Sequence, residues 1–209
     1  MEMLVVMTIM VVLLSVGIYS YASFAKTTQF NQDVADIQND VLILQRAAML
    51  FEKDPDDYWL YGIGIDFGGI MSGDGSYTFF KWCSEYPDFG EARTKSEYPN
   101  FDPVEDFSET NGNIPITISS GSCNGDMKLI PLSRYGTGSL NLKEDVSVSD
   151  TRFLLFEAVS GKAFIYDTNG ALVDGNIEIT LEKGVGDIHM LVIKNLTGRT
   201  ELLNIGDGE

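Results

Sequence analysis

The first hydrophobic pattern along the chain is an uninterrupted apolar run at its N-terminus. No charged side chain occurs from Met3 to Ala25, and Lys26 follows the run. As a helix that rises about 1.5 Å per residue, residues 1–25 would reach roughly 35 Å, enough to cross the hydrocarbon core of a bilayer. Glu2 precedes the run, and a carboxylate at this position is costly in lipid unless another group neutralises it. The pattern predicts a membrane-crossing helix with an acid that requires a partner.

A second pattern begins after Lys26, where apolar residues recur at alternating steps of four and three. This spacing places them on one stripe of an amphipathic helix, which is predicted to continue the first helix over residues 26–53. Asp54-Pro55 is expected to end the helix, because proline disfavours the helical conformation of the residue before it. The side chains predicted to pack the helix against a sheet are Phe30, Val34, Ile37, Val41, Leu44 and Phe51.

Shorter apolar and aromatic runs predict that residues 54–209 form one β-rich head domain. The glycine-dense residues 58–75 are expected to form a loop or a pair of short extended pieces. A helix followed by an antiparallel sheet gives the class α+β. The predicted strands are residues 77–83, 114–119, 127–132, 152–158, 162–167, 177–182, 188–195 and 199–203. Hairpins are expected to join 114–119 to 127–132, 152–158 to 162–167, and 177–182 to 188–195.

The charge of the chain limits its partners. A formal net charge of −17 argues against a nucleic-acid surface, which requires a basic face. Residues 85–109 contain eight acids, with only Arg93 and Lys95 as bases. This segment is predicted to be a long surface loop, either merely solvated or a recognition or cation-binding loop.

The two cysteines, Cys83 and Cys123, bear on the compartment of the head domain. Outside the cytoplasm they are expected to form a disulfide that closes a loop of about 40 residues, worth roughly 4 kcal/mol in the chain-entropy treatment. The alternative is two unrelated buried thiols. Neither cysteine belongs to a CxxC pair, so the sequence predicts no zinc or redox site.

The sequence contains no pattern that predicts catalysis. The one histidine, His189, falls in an alternating strand and is expected to be structural, and neither a nucleophile elbow nor a phosphate-binding glycine loop occurs. Asp54, Asp56 and Asp57 could bind calcium but lack the spacing of a calcium loop, so an acidic helix end is the alternative. We therefore expect a protein that is not an enzyme and has no cofactor and no resident metal.

Residues 2–15, EMLVVMTIMVVLLS, closely resemble the start of mature type IV pilins and of type II secretion pseudopilins. More weakly, residues 177–203 resemble the closing strands of minor pseudopilins and FimT-type minor pilins. The resemblance implies a pilin-like fold and a structural subunit that polymerises through its N-terminal helix. The residues to which it assigns filament assembly are Glu2, Met3, Leu4, Val5, Val6, Ile9, Val12 and Leu13.

The resemblance also implies partners and a location. The subunit would wait in the cytoplasmic membrane as a single-pass protein and then enter a cell-surface or envelope filament with copies of itself and other pilins. A prepilin peptidase, an assembly ATPase and a platform protein would act on it. The glutamate is second here, whereas the family usually has it fifth, so either the chain starts about three residues inside the mature protein or its processing differs. The alternative from another class is a single-pass receptor or binding domain that uses the acidic loop.

Overall fold

A computed structural model describes residues 2–84, 113–132, 134–143, 146–184 and 187–206. Within these ranges one long helix is followed by a short helix and ten strands. The elements are α1 (Glu2–Met49), β1 (Leu60–Asp66), α2 (Gly68–Met71), β2 (Ser76–Cys83), β3 (Lys128–Pro131), β4 (Thr137–Ser139), β5 (Val146–Val148), β6 (Thr151–Glu157), β7 (Ala163–Asp167), β8 (Ile177–Gly184), β9 (Asp187–Ile193) and β10 (Thr200–Asn204).

The strands form two sheets in which every named pair is antiparallel. The larger sheet has the order β3-β2-β1-β6-β7, and β4 also pairs with β2. The smaller sheet has the order β10-β9-β8-β5. The predicted hairpins β6–β7 and β8–β9 and the predicted last strand are present. The prediction of an α+β class with a long N-terminal helix and an antiparallel β domain is confirmed.

The C-terminal half of α1 lies against both sheets. Its stripe from Phe30 to Leu44 is buried and joins one apolar core with Ile63 of β1, Ile165 of β7 and Ile179 of β8. Burial of a large aliphatic side chain is worth about 1.5–3 kcal/mol, so these contacts fix the helix to the head domain. The stripe consists of Phe30, Val34, Ile37, Val41 and Leu44, followed on the next turn by Ala47 and Ala48.

The end of α1 differs from the prediction. The helix ends at Met49 rather than at residue 53. Phe51 adopts a left-handed conformation with φ of 52°, and the N–H of Glu52 donates to the carbonyl oxygen of Ala47 over 3.0 Å. This is a Schellman termination, which normally uses glycine. Because no glycine occurs at this position, Pro55 was the first recognisable helix-ending residue in the sequence.

Phe51 consequently lies outside the helical stripe to which the spacing assigned it. Its ring is half-buried and stacks on Trp59, with 4.4 Å between ring centroids. It packs against a small cluster that contains Leu60 and the two cysteines. Phe51 therefore contacts the head domain from a turn rather than from the helix.

Polar contacts also hold the helix in place. The buried carboxylate of Asp33 accepts hydrogen bonds from the backbone N–H groups of Asn141 and Leu142, both over 2.9 Å. The hydroxyl of Tyr77 donates to Asp40 over 2.6 Å. Burial of the Tyr77 phenol, and then its bond to this carboxylate, raise the pKa of Tyr77 well above its usual range. Tyr77 therefore stays a hydrogen-bond donor throughout the pH range in which proteins are folded.

Two of the predicted β segments are different in the structure. Residues 114–119 form no named strand, and Ile118 makes only an isolated parallel bridge to Leu129, so the predicted hairpin with residues 127–132 is wrong. The glycine-dense residues 58–75, expected to form a loop or a pair of short extended pieces, contain one extended piece, β1, which lies inside the larger sheet between β2 and β6. A Cβ atom at Gly62 or Gly64 would overlap a carbonyl oxygen of β6. These glycines therefore allow the close approach of β1 and β6.

Cys83 and Cys123 form the predicted disulfide, which links the end of β2 to the segment before β3 across a separation of 40 residues. Among the residues that the structure describes, no free cysteine remains.

Removal of this disulfide is expected to lower the free energy of unfolding of the head domain by about 4 kcal/mol, because the unfolded chain regains the freedom of a long loop. Urea unfolding of the full chain in detergent, with and without dithiothreitol, measures the change. The double variant Cys83→Ser/Cys123→Ser serves as the control, since reductant should leave its urea midpoint unchanged. An equal midpoint for the oxidised and reduced wild-type chain would contradict the prediction.

Candidate assembly surface on the N-terminal helix

The N-terminal half of α1 extends away from the head domain. Met3 is 81% exposed and Phe24 is 70% exposed, and the first buried side chain among the described residues of the helix is that of Phe30. At about 1.5 Å per residue the whole helix is roughly 72 Å long, so about half of it projects. The large apolar side chains exposed on this half are Met3, Val5, Val6, Met7, Ile9, Met10, Val11, Val12, Leu13, Leu14, Ile18, Tyr21 and Phe24.

The projecting half is apolar on all sides. Its most apolar window has a mean hydropathy of 2.1, and no residue of that window is buried against the rest of the chain. Within the described part of the chain, this is the one helix long and apolar enough to cross a membrane. An isolated soluble domain rarely exposes an apolar surface of this size, so a lipid or protein environment is required around it.

The predicted assembly residues lie along this half. Of the eight, Met3, Val5, Val6, Ile9, Val12 and Leu13 have exposed side chains. Glu2 and Leu4 belong to the helix, but their side chains lie outside what the structure describes. The helix is unbroken past Gly17 and Tyr19.

The surface of the projecting half has two shallow apolar grooves. One is lined by Val5, Thr8, Ile9, Val12 and Leu13, and the other by Met10, Leu13, Leu14, Ile18 and Tyr21. Helices pack when ridges of side chains on one enter grooves on another. Both grooves therefore have the form that a neighbouring helix can fill.

Two hydroxyl groups of the projecting region are satisfied within the helix. The Ser15 hydroxyl donates to the carbonyl oxygen of Val12 over 2.8 Å, and the Thr28 hydroxyl donates to that of Phe24 over 3.0 Å. Back-bonding of this kind removes the need for an external partner. These residues are thus compatible with lipid or with a dry helix bundle.

The other residues considered for function occupy structural positions. His189 lies in β9, and its ring packs on Phe30 with 4.8 Å between centroids. Residues 85–109, the acidic loop of the alternative function, lie outside the described residues. In the described ranges, no group of three or more acidic, histidine or cysteine side chains is arranged to hold a metal ion.

A buried charged cluster was missed by the sequence reasoning. Lys81 of β2 is 3% exposed, and its ammonium group contacts the carboxylates of Asp57 and Asp54, the latter over 2.7 Å. Asp57 is also buried, whereas the Asp54 side chain is 65% exposed. Asp54 and Asp57, two of the three acids considered for calcium, therefore pair with an internal ammonium group. The lysine within the apolar run YTFFKWC is the sequence feature that could have indicated this cluster.

No model of a known protein family matches the chain, and no curated protein or solved structure matches it either. The projecting helix, by its sequence and its geometry, is the feature of the chain that points to a function.

Proposed function

We propose that the protein is a structural, non-enzymatic subunit of a type IV pilus or a pilus-like filament. The observation that carries the proposal is one continuous helix with two environments. Its second half is buried against two sheets, and its first half exposes apolar side chains on all sides. The sequence of residues 2–15 supplies the resemblance to pilins and pseudopilins.

The projecting half of α1 can reside in two apolar environments. Before assembly it is anchored in the cytoplasmic membrane, where apolar side chains contact lipid. In the filament the same side chains contact the helices of neighbouring subunits, and ridges and grooves such as those along Val5 to Tyr21 interdigitate. Lipid tails are as apolar as leucine, so transfer from one setting to the other exchanges similar contacts. Packing and a specific polar contact then favour the filament.

Glu2 is the proposed source of that polar contact. Its carboxylate would neutralise the N-terminal amine of a neighbouring subunit inside an apolar core, a charge-assisted interaction. The same pairing would set the axial position of each helix relative to its neighbour. Delivery into the filament would require the prepilin peptidase, assembly ATPase and platform protein that the resemblance implies.

The variant Glu2→Leu is expected to reduce filament yield roughly ten- to a hundredfold, since a hydrogen bond to a charged group is worth about 1.5–3 kcal/mol. Electron microscopy of sheared surface material and immunoblotting of the filament fraction measure the yield. Glu2→Gln is the matched control for side-chain size and is expected to assemble poorly as well.

Both variants should remain in the membrane fraction at wild-type level. Filaments at normal yield from Glu2→Leu would refute the neutralising role of Glu2. Mass spectrometry of the N-terminus of the wild-type subunit determines where the mature chain begins. Absence of filaments containing the wild-type chain, together with a chain that remains membrane-bound, would favour the single-pass binding domain instead.

A further inference from the structure

The Lys81 cluster joins the larger sheet to the segment that follows α1. Lys81 lies in β2, where it pairs with Ile63 of β1 and Ile130 of β3. Asp54 and Asp57 belong to the segment between the end of α1 and β1. The cluster therefore lies at the junction between the end of α1 and the larger sheet.

The carboxyl group of Asp57 is held in a fixed orientation beside the amine of Lys81. One oxygen accepts a hydrogen bond from the backbone N–H of Cys123 over 3.1 Å. The other contacts Lys81 and accepts from the backbone N–H of Asp54 over 3.2 Å. The N–H of Tyr58 donates to the carbonyl oxygen of Cys123 over 2.7 Å and fixes the next residue. Both N–H groups directed at the carboxyl group could also stabilise an oxyanion formed there.

Two features favour reaction between this amine and this carboxyl group. Holding two reactants in contact replaces a bimolecular encounter and is worth an effective concentration of about 10⁵–10⁸ M. Burial of a lysine and an aspartate as ions is costly, whereas an amide formed from them carries no charge. Because both side chains are almost inaccessible to solvent, water has little access to reverse the reaction.

We infer that Lys81 and Asp57 form an intramolecular amide bond with Asp54 as the proton carrier. The Asp54 carboxylate accepts a proton from the Lys81 ammonium group and delivers it to an oxygen of the Asp57 carboxylate, and the free amine attacks Cγ of the resulting neutral carboxyl group. The new C–N bond forms as one C–O bond of the carboxyl group breaks. The departing oxygen leaves as water with two protons from the ammonium group, one of them delivered by Asp54. Ammonium plus carboxylate gives amide plus water, with no oxidant, reductant or net change of charge.

The bond would link the segment after the assembly helix directly to a strand inside the larger sheet. Cys83, two residues after Lys81, already ties the same strand to Cys123. An amide and a disulfide would then secure both sides of the helix-to-sheet junction. The inference does not rest on the proposed function, since it concerns the head domain alone.

Mass spectrometry of the full chain, purified in detergent, reduced and alkylated, tests the inference. The wild-type chain is expected to be lighter by about 18 Da, one water molecule, than the unmodified sequence with the same N-terminus. Trypsin should fail to cleave after Lys81, and fragmentation should identify one branched peptide that contains Lys81 and Asp57. Peptide mapping also distinguishes the bond from water loss at an Asp-Gly sequence.

The controls are Lys81→Met and Asp57→Ala, each of which should lack both the mass deficit and the branched peptide. Asp54→Asn is expected to accumulate unlinked chain, and full linkage in this variant would refute the role of Asp54. The decisive measurement uses the wild-type chain and does not depend on whether a variant folds. Separate wild-type peptides with an unmodified Lys81 and an unmodified Asp57 would overturn the inference and leave an ion pair.

Discussion

Replacing Leu44 with aspartate is expected to unfold the head domain at room temperature. Leu44 is fully buried in the core between α1 and the two sheets. Loss of its side chain alone, as in Leu44→Ala, should lower the free energy of unfolding by about 2–5 kcal/mol. A buried carboxylate without a partner adds several kcal/mol. The sum is comparable with the total stability of a typical domain, about 5–15 kcal/mol.

The matched control lies two residues away on the same helix. Leu42 is 49% exposed, so Leu42→Asp creates neither a cavity nor a buried charge, and it should change stability by less than about 1 kcal/mol. Urea unfolding of the full chains in detergent, followed by tryptophan fluorescence, compares the variants. Equal stability of Leu44→Asp and Leu42→Asp would show that the second half of α1 is not part of the head-domain core.

Long patterns in the sequence predicted much of the fold. The steps of three and four from Phe30 to Leu44 identified the buried stripe, because a helix returns to the same face with this period. Alternating and aromatic runs identified β2, β6, β7, β8 and β9, whose positions agree with the structure. The uninterrupted apolar run identified the projecting half of α1. Each of these sequence patterns extends over several residues, so the prediction does not depend on any single position.

Structural features that depend on a single residue, or on residues far apart in the sequence, could not be predicted. The end of α1 depends on a phenylalanine at φ of 52°, a conformation that phenylalanine seldom adopts. The glycines of β1 left open a loop or short extended pieces, and the reason for these glycines, the close approach of β6, lies about 90 residues further along the chain. The Lys81 cluster joins residues whose proximity exists only in the folded domain. Local patterns carry no information about such partners.

The variant Val12→Asp is expected to distinguish most directly between a filament subunit and a simple membrane anchor. Val12 is 55% exposed on the projecting half and lies near the middle of residues 1–25. One aspartate at the centre of a membrane helix costs about 2.5–3.5 kcal/mol, and each Leu, Ile or Val returns about 0.3–0.6 kcal/mol. The many remaining apolar residues therefore suffice to keep the variant in the membrane.

The proposed filament would place a stricter requirement on the side chain at position 12. A helix packed among neighbouring helices must bury the new carboxylate without a partner, and about 3 kcal/mol corresponds to a hundredfold reduction in association. We therefore expect Val12→Asp to remain in the membrane fraction while its filament yield falls roughly a hundredfold. Val12→Leu, which keeps the surface apolar, is the control and should assemble.

The two proposed states of the helix are separable by this comparison because lipid and helix neighbours respond differently to one charge. Lipid deforms, and water can reach an acid in a single helix, whereas packed side chains cannot move aside in every subunit. Thermal unfolding of the head domain in detergent should be the same for both variants, since no side chain from Val5 to Phe24 that the structure describes is buried. Normal filament yield from Val12→Asp would show that this part of the helix is only an anchor.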